Sequence, residues 1–562
     1  MMIRRVVVFL LAVVVMFGTT IVCQAAPQTL FTRHTRDVVL NGQAPFVGRM
    51  PATQPMRFDI VLALRDKAGL ESFLRELYDP SSPEFRHYVT PQQFTERFGP
   101  RQQEWDALVG FAKANGFALL GGSRDGMDLQ LKGSVAAIET AFHVTMGLYH
   151  DPVENRDFYA VDREPTVDLP FQLWHITGLD NYSIPRPALV HRPANVHPLA
   201  TTGSCPDASF CGSDMRAAYY EGKSLTGKGQ NLALFELAGT DLTDLKTYYE
   251  GAKQKQPYTP TLISTGGYGT TCVYPSCDDT EQTLDMTQQM GMAPGSKMLY
   301  MYVCGDAYGT GQFSDTACLS AMVATKDAPL SLQISASWLW SPSDPSSDDP
   351  YFMKMASQGQ SFFSAAGDDG DWSPSKGYPW WPSDSPYVIG VGGTDLTTKG
   401  AGKGWASEVG WTPYSGGGIS PDDFAIPSWQ KLKGVINKSN EGSTKYRNGP
   451  DVSANANFTF YVCADQKGLS GCTANEYGGT SFAAPMWAGY LALANQQAKA
   501  KGDKPPGFIN PTIYPIGVGK DYDTDFHDIT SGSNGFPAVK GYDLMTGWGS
   551  PNGDALINAL AP

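Results

Sequence analysis

Asn231-Leu232-Ala233-Leu234-Phe235 is a short run, apolar from Leu232 onward, and Tyr387-Val388-Ile389-Gly390-Val391 is a second of the same length. A strand buried on both faces reads this way, because no position along it meets water. Around the two runs, helical patterns and Gly-rich loops alternate with other short β-rich stretches. That texture predicts an α/β domain with a mostly parallel sheet and flanking helices. It fills residues 205–562, about 350 residues, enough to bury a substantial core.

Upstream the texture changes. Residues 68–77 carry an amphipathic helical pattern, and Met127-Asp128-Leu129-Gln130-Leu131 alternates as a half-buried strand does. Residues 27–185 are therefore read as a separate unit mixing helices and strands. Between the two units, Pro185, Pro187, Pro193 and Pro198 precede Thr201-Thr202-Gly203-Ser204. Residues 186–204 thus have the composition of an exposed, easily cut linker. Charge divides at nearly the same place. Of the net −14 on 562 residues, residues 1–200 carry −1 and residues 201–562 carry −13. An acidic balance without a basic tract argues against nucleic acid and anionic membrane surfaces as partners.

Arg4 and Arg5 precede an apolar run over residues 6–17, and Cys23-Gln24-Ala25-Ala26 follows. Residues 1–26 read as a secretory signal cut after Ala25 or Ala26. The run is short for a membrane span, and Val22 stands where lipidation at Cys23 would need a small residue. A secreted, extracellular protein is expected. Eight cysteines remain, in close pairs: Cys205/Cys211, Cys272/Cys277, Cys304/Cys318 and Cys463/Cys472. In a secreted chain such spacing suggests disulfides, and nearest-neighbour pairing is the simplest of many connectivities.

The chemistry starts from Gly479-Thr480-Ser481, which opens an apolar, helix-like run over residues 486–495. A serine after Gly-Gly-Thr has an exposed hydroxyl and a helix N-terminus to favour developing negative charge. An N-capping serine is the plainer reading, so a nucleophile here needs a base. Seven of the eight histidines lie in the first 200 residues, which leaves the second domain only His527. A carboxylate base is the better candidate. Glu281 and Asp285 sit four apart in Asp278-Asp279-Thr280-Glu281-Gln282-Thr283-Leu284-Asp285, on one face of a helix that Asp279 or Thr280 can cap. Like charges so close raise one pKa and let the pair share a proton. A third acid, Asp368, follows the apolar Phe362-Phe363-Ser364-Ala365-Ala366-Gly367, at the C-terminal end of a strand, where α/β sheets build sites.

Taken in order, Glu281-x-x-x-Asp285, Gly367-Asp368 and Gly479-Thr480-Ser481-x-x-x-Pro485 resemble the sedolisin family of serine-carboxyl peptidases. Val391-Gly392-Gly393-Thr394, Ser415-Gly416-Gly417-Gly418, Gly449-Pro450-Asp451-Val452-Ser453 and Gly547-Trp548-Gly549-Ser550-Pro551 agree. His87-Tyr88-Val89-Thr90-Pro91-Gln92-Gln93-Phe94 and Phe98-Gly99-Pro100 are similar to the family's activation domain. The resemblance implies a subtilisin-like peptidase domain preceded by a ferredoxin-like pro-domain that inhibits it. It implies Ser481 as nucleophile, Glu281 as base, Asp285 as the base's partner and Asp368 as a protonated donor to the oxyanion. Glu236 and Trp338 resemble second partners of the base. The substrates implied are peptides or unfolded proteins, cut in acid.

Two positions depart from the pattern. Leu339 follows Trp338 where glycine is usual, which questions substrate docking on that edge. Asp369 replaces a common serine after Asp368, and either raises the pKa of Asp368 or faces solvent. The resemblance also implies one calcium ion, held by Asp528 and Asp543 with the carbonyls of Ile529, Val539 and Gly541. Asp521, Asp523 and Asp525 imitate an EF-hand, but Phe526 and Gly532 occupy its glycine and terminal-acid positions. Two other functions stay open at this point: a subtilisin-type peptidase using His527, or an inactive secreted binding protein.

Overall fold

The computed structural model describes residues 27–192, 202–309, 311–324, 328–376 and 379–562. The signal reading at residues 1–26 and the linker prolines Pro193 and Pro198 lie outside the described residues. The expected sheet is present. Its strands are β1 (Asn231–Glu236), β2 (Thr261–Ser264), β3 (Met298–Val303), β4 (Gln333–Ala336), β5 (Ser361–Ala365), β6 (Ile389–Thr398), β7 (Trp405–Gly410) and β8 (Val452–Asn455). They lie in the order β2-β3-β1-β4-β5-β6-β7, with β8 also pairing with β6. Every pairing is parallel except β6 with β7. All residues of β4, β5 and β8 are buried, as strands covered on both faces must be. The run at residues 387–391 enters its strand only at Ile389. Val388 N–H is taken by Ser385 O and Tyr387 N–H by Ser385 Oγ, so the preceding residues stay in a turn.

Three helices matter for the site: α1 (Thr280–Met292), α2 (Asp349–Ser357) and α3 (Thr480–Lys501). Of the thirteen residues of α1 all but Gly291 are buried, and α3 packs against α1 and across β4, β5 and β6. α3 is longer than its apolar core suggests. It begins at Thr480 and continues through Pro485 to Gly502, whose φ of +81° closes it in the left-handed region. Pro485 has no N–H to give the carbonyl of Ser481 four residues back. That carbonyl instead accepts from Ser337 Oγ at 3.3 Å.

The N-terminal unit is α+β. Strand Pro55–Leu62 lies between Asp128–Ser134 and Leu173–Thr177, with Ala118–Ser123 outermost, all antiparallel. Phe58, Ile60, Leu129, Leu131, Ile138 and Phe142 pack within its core. Helix Lys67–Leu77 is capped by Asp66, whose Oδ1 accepts from Gly69 N at 2.8 Å. That helix packs on α2, and Tyr78 O–H donates to Ala356 O at 2.7 Å. Ser314 donates to the Asp59 carboxylate and Ser320 Oγ to Asp128 Oδ1, so the sheet docks onto the larger domain through buried acids.

Among the described residues four disulfides join near neighbours: Cys205–Cys211, Cys272–Cys277, Cys304–Cys318 and Cys463–Cys472. The first described part of the linker is not loose. Residues 186–192 run extended against the larger domain, and Ala188 is buried. Among the described residues no helix is long and apolar enough to cross a membrane.

Candidate active site

Asp278 lies two residues before α1, and its Oδ1 accepts from Thr280 N and Oγ1 at 2.9 and 2.6 Å. Asp279, one of the two caps the sequence suggests, does not cap. Its Oδ2 accepts from Thr240 Oγ1 and Asp241 N instead. One turn into α1, Glu281 and Asp285 are fully buried, as is Glu236 at the end of β1. Trp338 Nε1–H donates to Glu236 Oε2 at 2.8 Å, and Ser337 Oγ donates to Asp285 Oδ1 at 2.8 Å.

Three carboxyls so close and so dry cannot all be charged. Burial pushes Glu236 up to about 8, against the opposing pull of Trp338 and Asp285. Burial, with the charges of Glu236 and Glu281, raises Asp285 well above the ordinary carboxylate range. Burial, joined by the charges of Glu236 and Asp368, raises Glu281 well above the ordinary range too, against the opposing pull of the Ser481 and Ser337 hydroxyls. Among the described residues neither oxygen of Glu281, nor Ser481 Oγ, has a hydrogen-bond partner, and all three are buried. Contacts of this kind are often long before substrate binds.

Ser481 is the second residue of α3. Asp368 lies three residues beyond β5, and its Oδ1 accepts from both Thr480 N and Thr480 Oγ1 at 2.8 Å. Gly367 N in turn donates to Thr480 Oγ1 at 3.1 Å, from a residue at φ +99°. The pair of donors leaves Asp368 Oδ2 buried and unpartnered. Burial lifts Asp368 well above the usual range, the Thr480 donors oppose this, and Asp369 adds to it. Asp369 itself is exposed, so both readings of that departure hold.

The cleft is filled by the chain's own residues. Arg186 pairs with Leu339 and Pro187 with Trp338, antiparallel, and Ala188 N donates to Ser337 O at 2.8 Å. Val190 then pairs with Gly478 and His191 with Tyr477, again antiparallel. Leu339 therefore does not prevent a strand from docking on this edge. His527 takes no part in the constellation. It stacks on Trp405 with ring centroids 4.0 Å apart, and burial draws it down to about 4.

A buried hydroxyl with two buried carboxyl groups beside it, both raised well above the ordinary range, offers parts for acyl transfer. Comparison with known proteins agrees. The family described as "Pro-kumamolisin, activation domain" matches residues 43–182, and "Subtilase family" matches residues 273–506. Kumamolisin of Bacillus sp. (strain MN-32) is 29% identical over 548 residues, 92% of this chain and 95% of that protein. Xanthomonalisin of Xanthomonas sp. (strain T-22) is 28% identical, over 90% of this chain and 65% of its own. The chain belongs to the sedolisin family of serine-carboxyl peptidases. Among solved structures, Pseudomonas sedolisin (serine-carboxyl proteinase) complexed with two molecules of pseudo-iodotyrostatin is 24% identical. Its TM-score is 0.49, over 64% of this chain and 98% of that one.

As a sedolisin-family serine peptidase with an activation domain, the chain carries two supports whose partners are distant in sequence. Ser337 and Thr480 hold the acids in place, Ser337 from 52 residues away and Thr480 from 112. The loop implied to hold calcium is folded around two acids, Asp528 and Asp543. Gly541 N donates to Asp528 Oδ1 and Val539 N to Asp543 Oδ2, both at 3.0 Å. One loop thus wraps two carboxylates, and Tyr522 O–H also reaches Asp528, at 2.9 Å. Two carboxylates alone are too few for calcium, which takes six to eight oxygen ligands. Among the described residues there is no group of three or more His, Cys, Asp or Glu that could hold a metal. The fit therefore needs the backbone carbonyls of Ile529, Val539 and Gly541.

Proposed function

We propose that the protein is a secreted zymogen whose mature domain hydrolyses peptide bonds of peptides and unfolded proteins in acid. Ser481 Oγ adds to the scissile carbonyl while Glu281 takes its proton. The oxyanion accepts from Ser481 N–H and from protonated Asp368, and Glu281 passes its proton to the leaving amine. Water then hydrolyses the acyl-enzyme. Asp285 and Glu236 hold the protons that leave the site's negative charge on Glu281, and Trp338 and Ser337 fix their orientation. The observation that carries the reading is that Ser481 Oγ, both oxygens of Glu281 and Asp368 Oδ2 are buried and unpartnered, with Glu281 near enough to interact with both Ser481 and Asp368.

Residues 27–185 would act as the intramolecular inhibitor, joined through the linker at 186–204 to the peptidase domain at 205–562. Asp528 and Asp543, with the carbonyls of Ile529, Val539 and Gly541, would hold one calcium ion. Bound there, it would neutralise two carboxylates and pin the loop near the C-terminus. The main test is cleavage of a denatured protein from pH 3 to pH 7 after acid activation. Activity confined to acid and abolished in Glu281→Ala is expected; full activity in that variant overturns the assignment.

A further inference from the structure

Past Ser481 the linker runs as a strand whose side chains alternate between two faces. Ala188 O accepts from Ser481 N at 3.1 Å, so Arg192 stands four residues beyond the carbonyl at that N–H. Val190 and His191 pair with Gly478 and Tyr477, and Arg192 N–H donates to Glu476 O at 2.7 Å. His191 turns to one side, its ring stacked on Tyr477 with centroids 4.6 Å apart. Val190 and Arg192, two apart, turn to the other, as strand geometry requires. There Val190 packs against the cluster of Trp411, Ala456 and Phe458, and the Arg192 guanidinium lies 4.2 Å from the centroid of the Phe458 ring.

Three strands of the main sheet supply this face. Trp411 follows β7, Phe458 lies three residues past β8, and Asp395 lies in β6. The rings of Trp411, Tyr414 and Phe458 contact one another with centroids 4.9 to 5.8 Å apart. Trp411 Nε1–H donates to Asn457 Oδ1 at 3.1 Å, which fixes the indole. Arg192, Asp395, Trp411 and Tyr414 line a cavity of about 330 Å³ beside them. Aromatic faces attract a cation, arginine more often than lysine. Burial raises the Asp395 carboxyl, against the pull of Asn457, so in acid it adds little charge. The rings do not titrate in acid, and a cage made of them goes on holding a cation where carboxylates weaken.

We infer that this face is a substrate subsite for a cationic side chain four residues beyond the bond that is cut, and that it selects arginine. The inference rests on the role proposed above for Ser481 and deepens it by naming what the enzyme reads on the leaving side. In the zymogen Arg192 occupies the place that a substrate arginine takes in the mature domain. Trp411 and Phe458 are each 2% exposed with the linker in place. Once the linker leaves, a bound peptide covers the two rings again.

The test uses acid-activated protein and four peptides built on a sequence that it cuts in a denatured protein. They differ only at the fourth residue after the cut bond, which is arginine, lysine, citrulline or alanine, and mass spectrometry of the products fixes the bond. Citrulline keeps the shape of arginine without its charge. kcat/KM is expected to be about three- to thirtyfold higher for arginine than for citrulline or alanine, the reach of one cation–π contact, with lysine between. The ratio should hold from pH 3 to pH 6, since arginine stays charged throughout. In Phe458→Leu, and separately in Tyr414→Leu, the ratio of arginine to alanine should fall toward one. Equal rates for the four peptides, or a ratio unchanged in both variants, overturn the inference and leave the catalytic reading standing. A ratio that grows with pH and vanishes in Asp395→Asn also overturns it, because the carboxylate would then be the selecting group. If no denatured protein is cut, the catalytic reading and the inference fall together.

Discussion

On the proposed mechanism Asp368 is a carboxyl made into a donor. Two hydrogen bonds from Thr480 use up Oδ1, and burial removes the water that would stabilise a charge, so the proton rests on the oxygen left over. Its raised pKa places the alkaline limb of the rate profile above the ordinary carboxylate range, because the donor is lost as pH rises through the folded pKa. Asp368→Ala should lower kcat by about 10²–10³-fold, the usual cost of one oxyanion donor. Asp368→Asn keeps an N–H donor that does not titrate. It should retain more activity than the alanine variant and move the alkaline limb upward; an unmoved limb would show that another group sets it. His527 offers the contrasting case of a residue that sequence alone leaves as a rival base. Its ring is stacked on Trp405, and His527→Ala should leave kcat/KM within about twofold at the acid optimum. A loss comparable to that of Glu281→Ala would restore the histidine mechanism.

Elements explain which parts of this could be read in advance. The apolar runs that became β1 and β6 were legible because a doubly covered strand leaves its burial in the composition. Glu281 and Asp285 were legible because helical spacing fixes their shared face. The linker was not. Proline and small polar residues describe a segment that forms no structure of its own, and say nothing of edges elsewhere in the chain that can bind it. Ser337 escaped notice for the same reason: its contact with Asp285 depends on how β4 and α1 pack. The loop at residues 539–543 lies between these cases, since its carboxylates are visible in sequence while its wrapping is a matter of backbone N–H groups. If that loop holds calcium, chelation should lower the melting temperature, and free calcium at a hundred times its Kd should stabilise the fold by about 2.7 kcal/mol. In Asp528→Ala the melt should become insensitive to calcium, which calorimetry with and without chelator would read. An equal calcium response in the variant would place the ion elsewhere.

At the scale of the whole molecule, the buried acids set the direction in which stability changes with pH. A carboxyl whose folded pKa exceeds its unfolded value binds its proton more tightly in the native state. Its stabilisation is fully present below the unfolded pKa and is lost as pH rises through the folded one. Glu236 has this window between 4.5 and about 8, Asp59 between 3.8 and about 8, and Asp349 between 3.8 and about 7, each chiefly through burial. Asp128 adds a narrower window, from 3.8 to about 6. Other groups oppose them, among them buried His175, which is drawn well below 6.5 and favours higher pH only below 6.5. His527, drawn from 6.5 to about 4, favours higher pH only within that interval, and buried Lys354, lowered to about 7, does so only above 7. From pH 6.5 to 7 the acids therefore act unopposed. Each group changes stability by at most about 1.4 kcal/mol per pH unit, and the acids lie in both domains and at their junction. The expected outcome is a zymogen that melts highest in acid and loses melting temperature steadily toward pH 8. Calorimetry on Ser481→Ala, which cannot digest itself on the proposed mechanism, would measure this across pH 4 to pH 8. A melting temperature that climbed over that range would mean that these carboxyls ionise freely in the fold, and would remove the basis for a protonated Asp368 as well.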